Sequence, residues 1–274
     1  MKVLIIGGNG FLGAKVLDKT LQQNWEVDTI NYYINNKEER ILDLNKLNKI
    51  QNDFDAVFLL AAHIPYGKMN GSDKRLLEYN INLPLKVVEK FPAAIIFFAS
   101  SISIYGNHTN NIDEVSAFNN PEIYGLSKLS GEFIIKSSKK YRIVRFSSLY
   151  GKGMFKETFL PRIIKDAKLK EEITLFGDGL RMQNYIHVDD AADFCIYSVK
   201  NPQNGSYLGV YNKSYSNIEV AQIVQNIIPE CKIKFKGIDN NFSNVFNNKY
   251  SISALGFSAK ISLEKGISDL IKYV

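Results

Sequence analysis

Lys2-Val3-Leu4-Ile5-Ile6-Gly7-Gly8-Asn9-Gly10-Phe11-Leu12-Gly13 passes from a short β-branched run to a glycine turn and into a new pattern. Val3–Ile6 reads as a buried strand, and the glycines break it. From Phe11 to Gln23 the pattern turns amphipathic, with Leu17 and Leu21 on one stripe and Lys15 and Lys19 off it, which predicts a helix. The same alternation continues outward. Strands are predicted at Trp25–Ile30, Asp55–Leu60, Ala94–Ala99 and Tyr141–Phe146, and helices at Leu76–Lys90 (ended by Pro92) and Ile123–Lys139. Strands alternating with helices at this spacing imply parallel βαβ units, hence an α/β fold with an open, doubly wound parallel sheet.

Beyond Gly151 the rhythm is less regular. Pro161 starts a predicted helix, Phe176-Gly177-Asp178-Gly179 a turn, and Asn184–Val188 a short strand. Asp189 and Asp190 are expected to cap a helix running to about Val199. Two more helices fall near Asn217–Ile228 and Leu263–Tyr273. The expected organisation is a Rossmann-type dinucleotide-binding domain over residues 1–150 plus about 182–199. A smaller C-terminal substrate-binding domain takes residues 151–181 and 200–274.

The 274 residues are 45% apolar and 23% charged, an ordinary globular balance that argues against a disordered or disulfide-stapled chain. The longest apolar stretches, Ala56–Ala62 and Ala93–Ala99, fall far short of the ~18–20 residues that cross a bilayer. Met1-Lys2 before Val3–Ile6 is no signal peptide, because glycines end the apolar run at once. A soluble, cytoplasmic protein without a membrane partner is expected. The net charge of +6 comes from scattered Lys and Arg with no basic arm, so no nucleic-acid partner is expected. Cys195 and Cys231 read as buried thiols. His63, His108 and His187 lack metal-ligand spacing, so no metal is expected, and His187 reads as structural. His63 follows a strand end and is a candidate to face substrate.

Three constellations carry chemistry. The first is the turn itself, where Gly7, Gly10 and Gly13, with Asn9, Phe11 and Leu12 between them, suit close approach of a pyrophosphate to open helix amides. The second is Asn31, standing where an acid would bond the ribose 2′-hydroxyl of NAD. An amide does not repel a 2′-phosphate, so NADP and NAD are both admissible, with Lys37 and Arg40 close in sequence. The third is Tyr124 and Lys128 on a predicted helix, at i and i+4 on one face, with Ser100-Ser101 ending the preceding strand. A phenol near an ammonium and an oxidised nicotinamide has its pKa lowered toward use as an acid–base group. Ser101 would hold the oxygen whose proton Tyr124 moves.

These residues resemble the extended short-chain dehydrogenase/reductases, also called NAD-dependent epimerase/dehydratases. Beyond the glycine turn, Asp43-Leu44 resembles the family's adenine-contacting pair, Leu60-Ala61-Ala62 its cofactor-lining strand end, and Asn80 the asparagine of the following helix. Phe98–Gly106 is similar to the catalytic-serine segment, and Tyr124, Lys128 and Glu132 fit Y-x-x-x-K-x-x-x-E. Arg145–Gly151, Tyr185–Asp190 and Leu255–Gly266 resemble later signatures. The resemblance implies NAD(P) and a nucleotide-diphosphate sugar, of the kind used in polysaccharide biosynthesis. Three departures stand out. Ser148 replaces a substrate-contacting asparagine. Gln183 replaces the pyrophosphate-binding arginine, with Arg181 two positions earlier. Ile102-Ser103 replaces the acid pair of the 4,6-dehydratases, which leaves no acid/base pair for removing water and argues against a dehydratase.

The function expected is therefore reduction of a 4-keto-6-deoxy sugar, with Tyr124 as acid, Ser101 bonding the same oxygen and Lys128 holding the cofactor ribose. His63, Ser148, Arg181 and Gln183 are the candidate substrate contacts. A nucleotide-sugar C4 epimerase with tightly held NAD is the alternative, a non-catalytic NAD(P)-binding regulator a reading of another class, and a reductase of a carbonyl outside the nucleotide sugars, kept open by Gln183, a third. The resemblance also implies a homodimer through the helices at Leu76–Lys90 and Ile123–Lys139.

Overall fold

Val3, Leu4, Ile5 and Ile6 are all fully buried, so strand β1 (Lys2–Ile6) has apolar neighbours on both faces. A computed structural model of the chain describes residues 1–34, 40–65, 73–108 and 111–274. Helix α1 (Phe11–Gln22) follows the glycine turn, then β2 (Glu26–Ile30) and a hairpin of β3 (Tyr32–Ile34) and β4 (Arg40–Leu42). Next come α2 (Leu44–Lys49), β5 (Ala56–Leu59), α3 (Lys74–Leu77), a π-helical turn (Glu78–Asn82) and α4 (Leu83–Lys90). β6 (Ile95–Ser101), a 3₁₀ turn (Ile102–Tyr105), α5 (Ile123–Lys136), β7 (Tyr141–Phe146) and β8 (Ser148–Tyr150) complete the first half. The second half holds α6 (Phe159–Lys170), β9 (Glu172–Phe176), β10 (Met182–Gln183), β11 (Tyr185–His187), α7 (Val188–Lys200) and β12 (Gly205–Gly209). β13 (Tyr215–Ser216), α8 (Asn217–Ile227), β14 (Lys232–Lys236), α9 (Lys249–Leu255) and α10 (Leu263–Leu270) end it.

The main sheet of the described residues is parallel, in the order β2-β1-β5-β6-β7-β12. Strand alternation divides its apolar residues between two cores. Val3, Ile5, Phe58, Phe97 and Val144 pack beneath α1 and α7, whereas Leu4, Val57, Leu59, Phe98 and Ile143 pack beneath α4 and α5. A third core, around Tyr150, Ile164, Leu175, Val220 and Ile267, belongs to the smaller lobe built by α6, α8, α10 and the β9–β14 pair.

Three expectations change. The helix expected over Leu76–Lys90 is broken by the π-helical turn, because Pro84 has no N–H to give the Asn80 carbonyl. β12 falls in the stretch expected to form the smaller domain, yet it pairs with β7 at the edge of the main sheet. Its Tyr207 and Leu208 are buried on opposite faces, so the strand belongs where both faces are covered. Finally, Asp189 and Asp190 do not cap α7. His187 does, its Nδ1 accepting from the Asp189 amide (3.3 Å). Asp189 pairs with Lys15 (3.0 Å), and Asp190 accepts the amides of Lys260 and Ile261 (3.0 and 2.8 Å), tying the C-terminal segment to the core.

Candidate active site

The glycine turn is held so tightly that only hydrogen fits at two of its positions. Gly7 has φ +95° and donates to the Ile30 carbonyl (2.7 Å). A Cβ on Gly13 would lie 2.0 Å from the Gly7 carbonyl oxygen, so any side chain there would push α1 off the turn. Gly10 heads α1 without a side chain to cap it, and no acidic residue stands in the first helical turn. Open amides, no carboxylate and close backbone approach fit a dinucleotide pyrophosphate.

The other candidate cofactor residues gather round this turn. Asn9 makes two bonds to Tyr32, donating to its carbonyl (2.7 Å) and accepting from its amide (2.9 Å). Asn31 donates from Nδ2 to Thr29 Oγ1 (3.2 Å) and lies across Gly8. The Leu60 and Ala61 amides both donate to the Ile6 carbonyl, and Ala61 N is 2.9 Å from where a Gly7 Cβ would stand. Ala62 donates its amide to Tyr32 Oη (3.2 Å). Asp43 donates its amide to the Asn31 carbonyl (3.2 Å), while its carboxylate caps α2 at Lys46 N (3.1 Å) with Leu44 beginning the helix. Lys37 lies outside the described residues, as does the side chain of Arg40.

Asn80 is differently engaged. It is fully buried, accepts the His63 amide (2.9 Å) and donates to the His63 carbonyl (3.0 Å) and Ser127 Oγ (2.9 Å). With these bonds made, Asn80 braces the strand end against α5. Its backbone carbonyl, released by Pro84, lies 2.8 Å from where a Gly131 Cβ would be, so α5 needs glycine there. His63 also points away from a free role: its Nε2 meets Asp73 (2.8 Å). The Asp73 carboxyl is held well below its ordinary pKa by the Arg75 side chain, with His63 adding to the effect.

At the end of β6, Ser101 is half-buried and Ser103 exposed. Ser101 donates to Ser103 Oγ (3.0 Å) and accepts the Ser103 amide (3.1 Å). The head of α5 packs on this turn: a Cβ at Gly125 would stand 2.2 Å from the Ser103 carbonyl oxygen. Tyr124, half-buried, immediately precedes Gly125, so its backbone lies beside the Ser101–Ser103 turn. One helical turn on, Lys128 is buried with Nζ 3.9 Å from the centre of the Phe98 ring. Burial lowers its pKa to about 7, with Glu132 working in the opposite sense.

Glu132 itself accepts from Ser100 Oγ (2.6 Å) and forms a two-pronged pair with Arg145 (3.0 and 2.8 Å). Arg145 also donates to Tyr105 Oη and the Glu114 carbonyl, both at 2.7 Å. Burial opposes the Arg145 charge, but the Glu132 carboxylate more than offsets it and the guanidinium pKa is raised. This network joins α5, β6 and β7.

The remaining candidates sit toward the smaller lobe. Ser148 is exposed, next to the end of β7. Arg181 pairs with Asp239 (2.6 Å) and Gln183 donates to Asn217 (2.7 Å), so neither stands free. The bracing residues Ser127, Asp239 and Asn184, the last accepting from Ser147 Oγ (2.8 Å) and donating to the Tyr211 carbonyl (2.8 Å), were not singled out from the sequence. Ser127 alone had a local signal, lying three positions after Tyr124 on a neighbouring helical row. The partners of Asp239 and Asn184 lie 58 and at least 27 positions away. Among the described residues no cluster suits a metal ion, and no helix is long and apolar enough to cross a membrane.

The sequence profile of the NAD dependent epimerase/dehydratase family matches residues 3–212. The UDP-N-acetyl-alpha-D-glucosaminuronate decarboxylase of Bacillus cytotoxicus is 22% identical, over 99% of this chain and 97% of its own. A putative UDP-glucose 4-epimerase of Methanocaldococcus jannaschii is 26% identical over 99% and 98%. In fold, the chain is similar to a UDP-glucuronic acid 4-epimerase of Bacillus cereus solved with UDP-glucuronic acid and NAD. The TM-score is 0.83, at 20% identity over 100% of this chain and 98% of that one.

Proposed function

The chain belongs to the NAD dependent epimerase/dehydratase family, and from that premise we propose that it is an oxidoreductase of nucleotide-diphosphate sugars with Tyr124 as its acid–base group. The observation that carries this reading is the packing of the head of α5, through Gly125, onto the turn that holds Ser101. The nicotinamide dinucleotide, when bound, gives or takes hydride at the sugar carbon. Ser101 turns its hydroxyl proton from Ser103 to the oxygen on that carbon. Tyr124 delivers a proton to the same oxygen, and the buried Lys128, when charged, stabilises the phenolate left behind. A substrate pyrophosphate would draw Arg181 away from Asp239.

The leading reaction is reduction of a 4-keto-6-deoxy sugar. It is supported by the uncharged Asn31, compatible with NADPH, and by the short substrate-binding portion of the chain. The second reading is C4 epimerisation, favoured by the Methanocaldococcus jannaschii relative of nearly equal span. Retention of both Tyr124 and Lys128 argues against a non-catalytic regulator. A second copy of the chain is proposed to cover the outer faces of α3, α4 and α5, where Leu77, Leu85, Leu126 and Phe133 are 46–63% exposed.

The test incubates the purified protein with UDP-, GDP-, CDP- and dTDP-linked sugars, in 4-keto and 4-hydroxy forms. Stoichiometric NADPH consumption on a keto sugar supports the reductase, whereas interconversion without added dinucleotide identifies an epimerase. Tyr124→Phe should lower turnover by about 10²–10⁴-fold, the usual worth of a positioned acid, with dinucleotide affinity unchanged. Unaltered turnover would remove Tyr124 from the chemistry.

A further inference from the structure

Residues 243–251 form a strap that crosses from the smaller lobe to the edge of the main sheet. At the lobe end, the Met182 amide donates to Ser243 Oγ (3.0 Å) and the Asn244 amide to the Met182 carbonyl (2.9 Å), which bonds the strap to β10. Four positions before Ser243 stands Asp239, the partner of Arg181. At the sheet end, Asn248 Nδ2 donates to the Val210 carbonyl (3.3 Å) and Ser251 Oγ accepts the Leu208 amide (2.7 Å), along β12, the outermost strand on that side. Midway the strap runs beside Ile112. The Ile112 amide donates to the Val245 carbonyl and the Asn247 amide to the Ile112 carbonyl, both at 2.8 Å.

Glu114, two residues beyond Ile112, touches both the strap and the network behind α5. Its Oε1 accepts the Ser251 amide (3.1 Å) and the Ser251 hydroxyl. Its backbone carbonyl accepts from Arg145 (2.7 Å), which Glu132 fixes to α5. The Ser251 amide is one of the open donors in the first turn of α9. That helix has no side-chain cap of its own and no acidic residue in its first turn, and its N-cap Asn248 spends its side-chain amide on Val210. The cap is therefore supplied from 137 positions away by Glu114. Ser251 is fully buried and Glu114 half-buried, so these charge-assisted bonds are sheltered from water.

We propose that Glu114 is a positioning residue: by capping α9 from outside the helix it holds the strap closed, and with it the part of the smaller lobe that carries Arg181 and Gln183, so that it governs affinity for the sugar nucleotide and not for the dinucleotide. The choice of ligand rests on the nucleotide-sugar reading; the tie between Glu114 and the strap does not. Hydrogen exchange read by mass spectrometry tests the tie. Glu114→Ala should quicken exchange over residues 243–251 by about tenfold or more, the scale of one bond to a charged group, with β1 and β5 unchanged. Glu114→Gln, whose amide oxygen accepts the same two bonds, should stay nearer the natural protein. Calorimetry with UDP-, GDP-, CDP- and dTDP-glucose, and with NADH and NADPH, tests the role. Glu114→Ala should weaken the sugar nucleotide that the natural protein binds best by about tenfold, the same scale, and leave the dinucleotide unchanged. Unaltered strap exchange, or exchange quickened equally in β1 and β5, overturns the tie. Unaltered sugar-nucleotide affinity with a loosened strap overturns the positioning role, as does an equal loss for the dinucleotide. If the natural protein binds a dinucleotide but none of the four sugar nucleotides, the nucleotide-sugar reading falls and the positioning role with it, while exchange still decides the tie.

Discussion

Lys128 lies against the Phe98 ring, where burial brings its pKa from 10.5 down to about 7. Between those values the unfolded chain holds a proton that the folded chain has released. Stability contributed by the neutral amine is therefore present above pH 10.5 and lost as pH falls through about 7. Compared with Lys128→Met, which cannot titrate, the natural protein should lose stability on the order of a few kcal/mol across that window and no more below it. Urea unfolding of both proteins at several pH values would show it; parallel curves would mean that the amine is solvated. The Tyr124–Lys128 spacing was legible because a helix repeats its faces within four residues. The work of Asn80 was not, since its partners His63 and Ser127 lie 17 and 47 positions away. Arg181 shows the same limit: nothing local announces Asp239.

Helix α5 is the element that joins the site to the sheet. Glu132 accepts from Ser100 on β6 and Arg145 on β7, so one carboxylate fixes the helix against two strands. Removing one partner of a buried pair strands the other charge, a loss of about 3–5 kcal/mol. Glu132→Ala should lower the unfolding free energy by that amount, and adding Arg145→Met should recover most of it, as equilibrium denaturation would reveal. A double variant no more stable than the single one would refute the account. Strands β1, β5 and β6 were readable to within a residue or two because burial on both faces leaves continuous apolar runs, whereas β7 holds two buried arginines, Arg142 and Arg145, within its run. The β3–β4 hairpin carries no such run. The π-helical turn was written in Pro84, but helical periodicity on either side of it concealed the break.

At the scale of the molecule, the two-sided sheet followed from the alternation of strands and helices, whereas β12 did not, since α6, β9 and α7 come between it and its partner β7. The exposed side chains on α3, α4 and α5 lead to a further expectation. Phe133→Asp should convert a dimer to a monomer in sedimentation equilibrium, leaving the dinucleotide site unaltered; an unaltered protein that sediments as a monomer would remove the proposed interface. The late return of β12 also matters while the chain is being made. On a ribosome adding about 5–20 residues each second, β7 emerges several seconds before the strand that will cover it. For that interval its hydrogen-bonding edge is open to any other nascent β-segment. Cellular yield should therefore depend on the rate of elongation through the intervening segment and on chaperone supply, even for variants whose finished fold is fully stable.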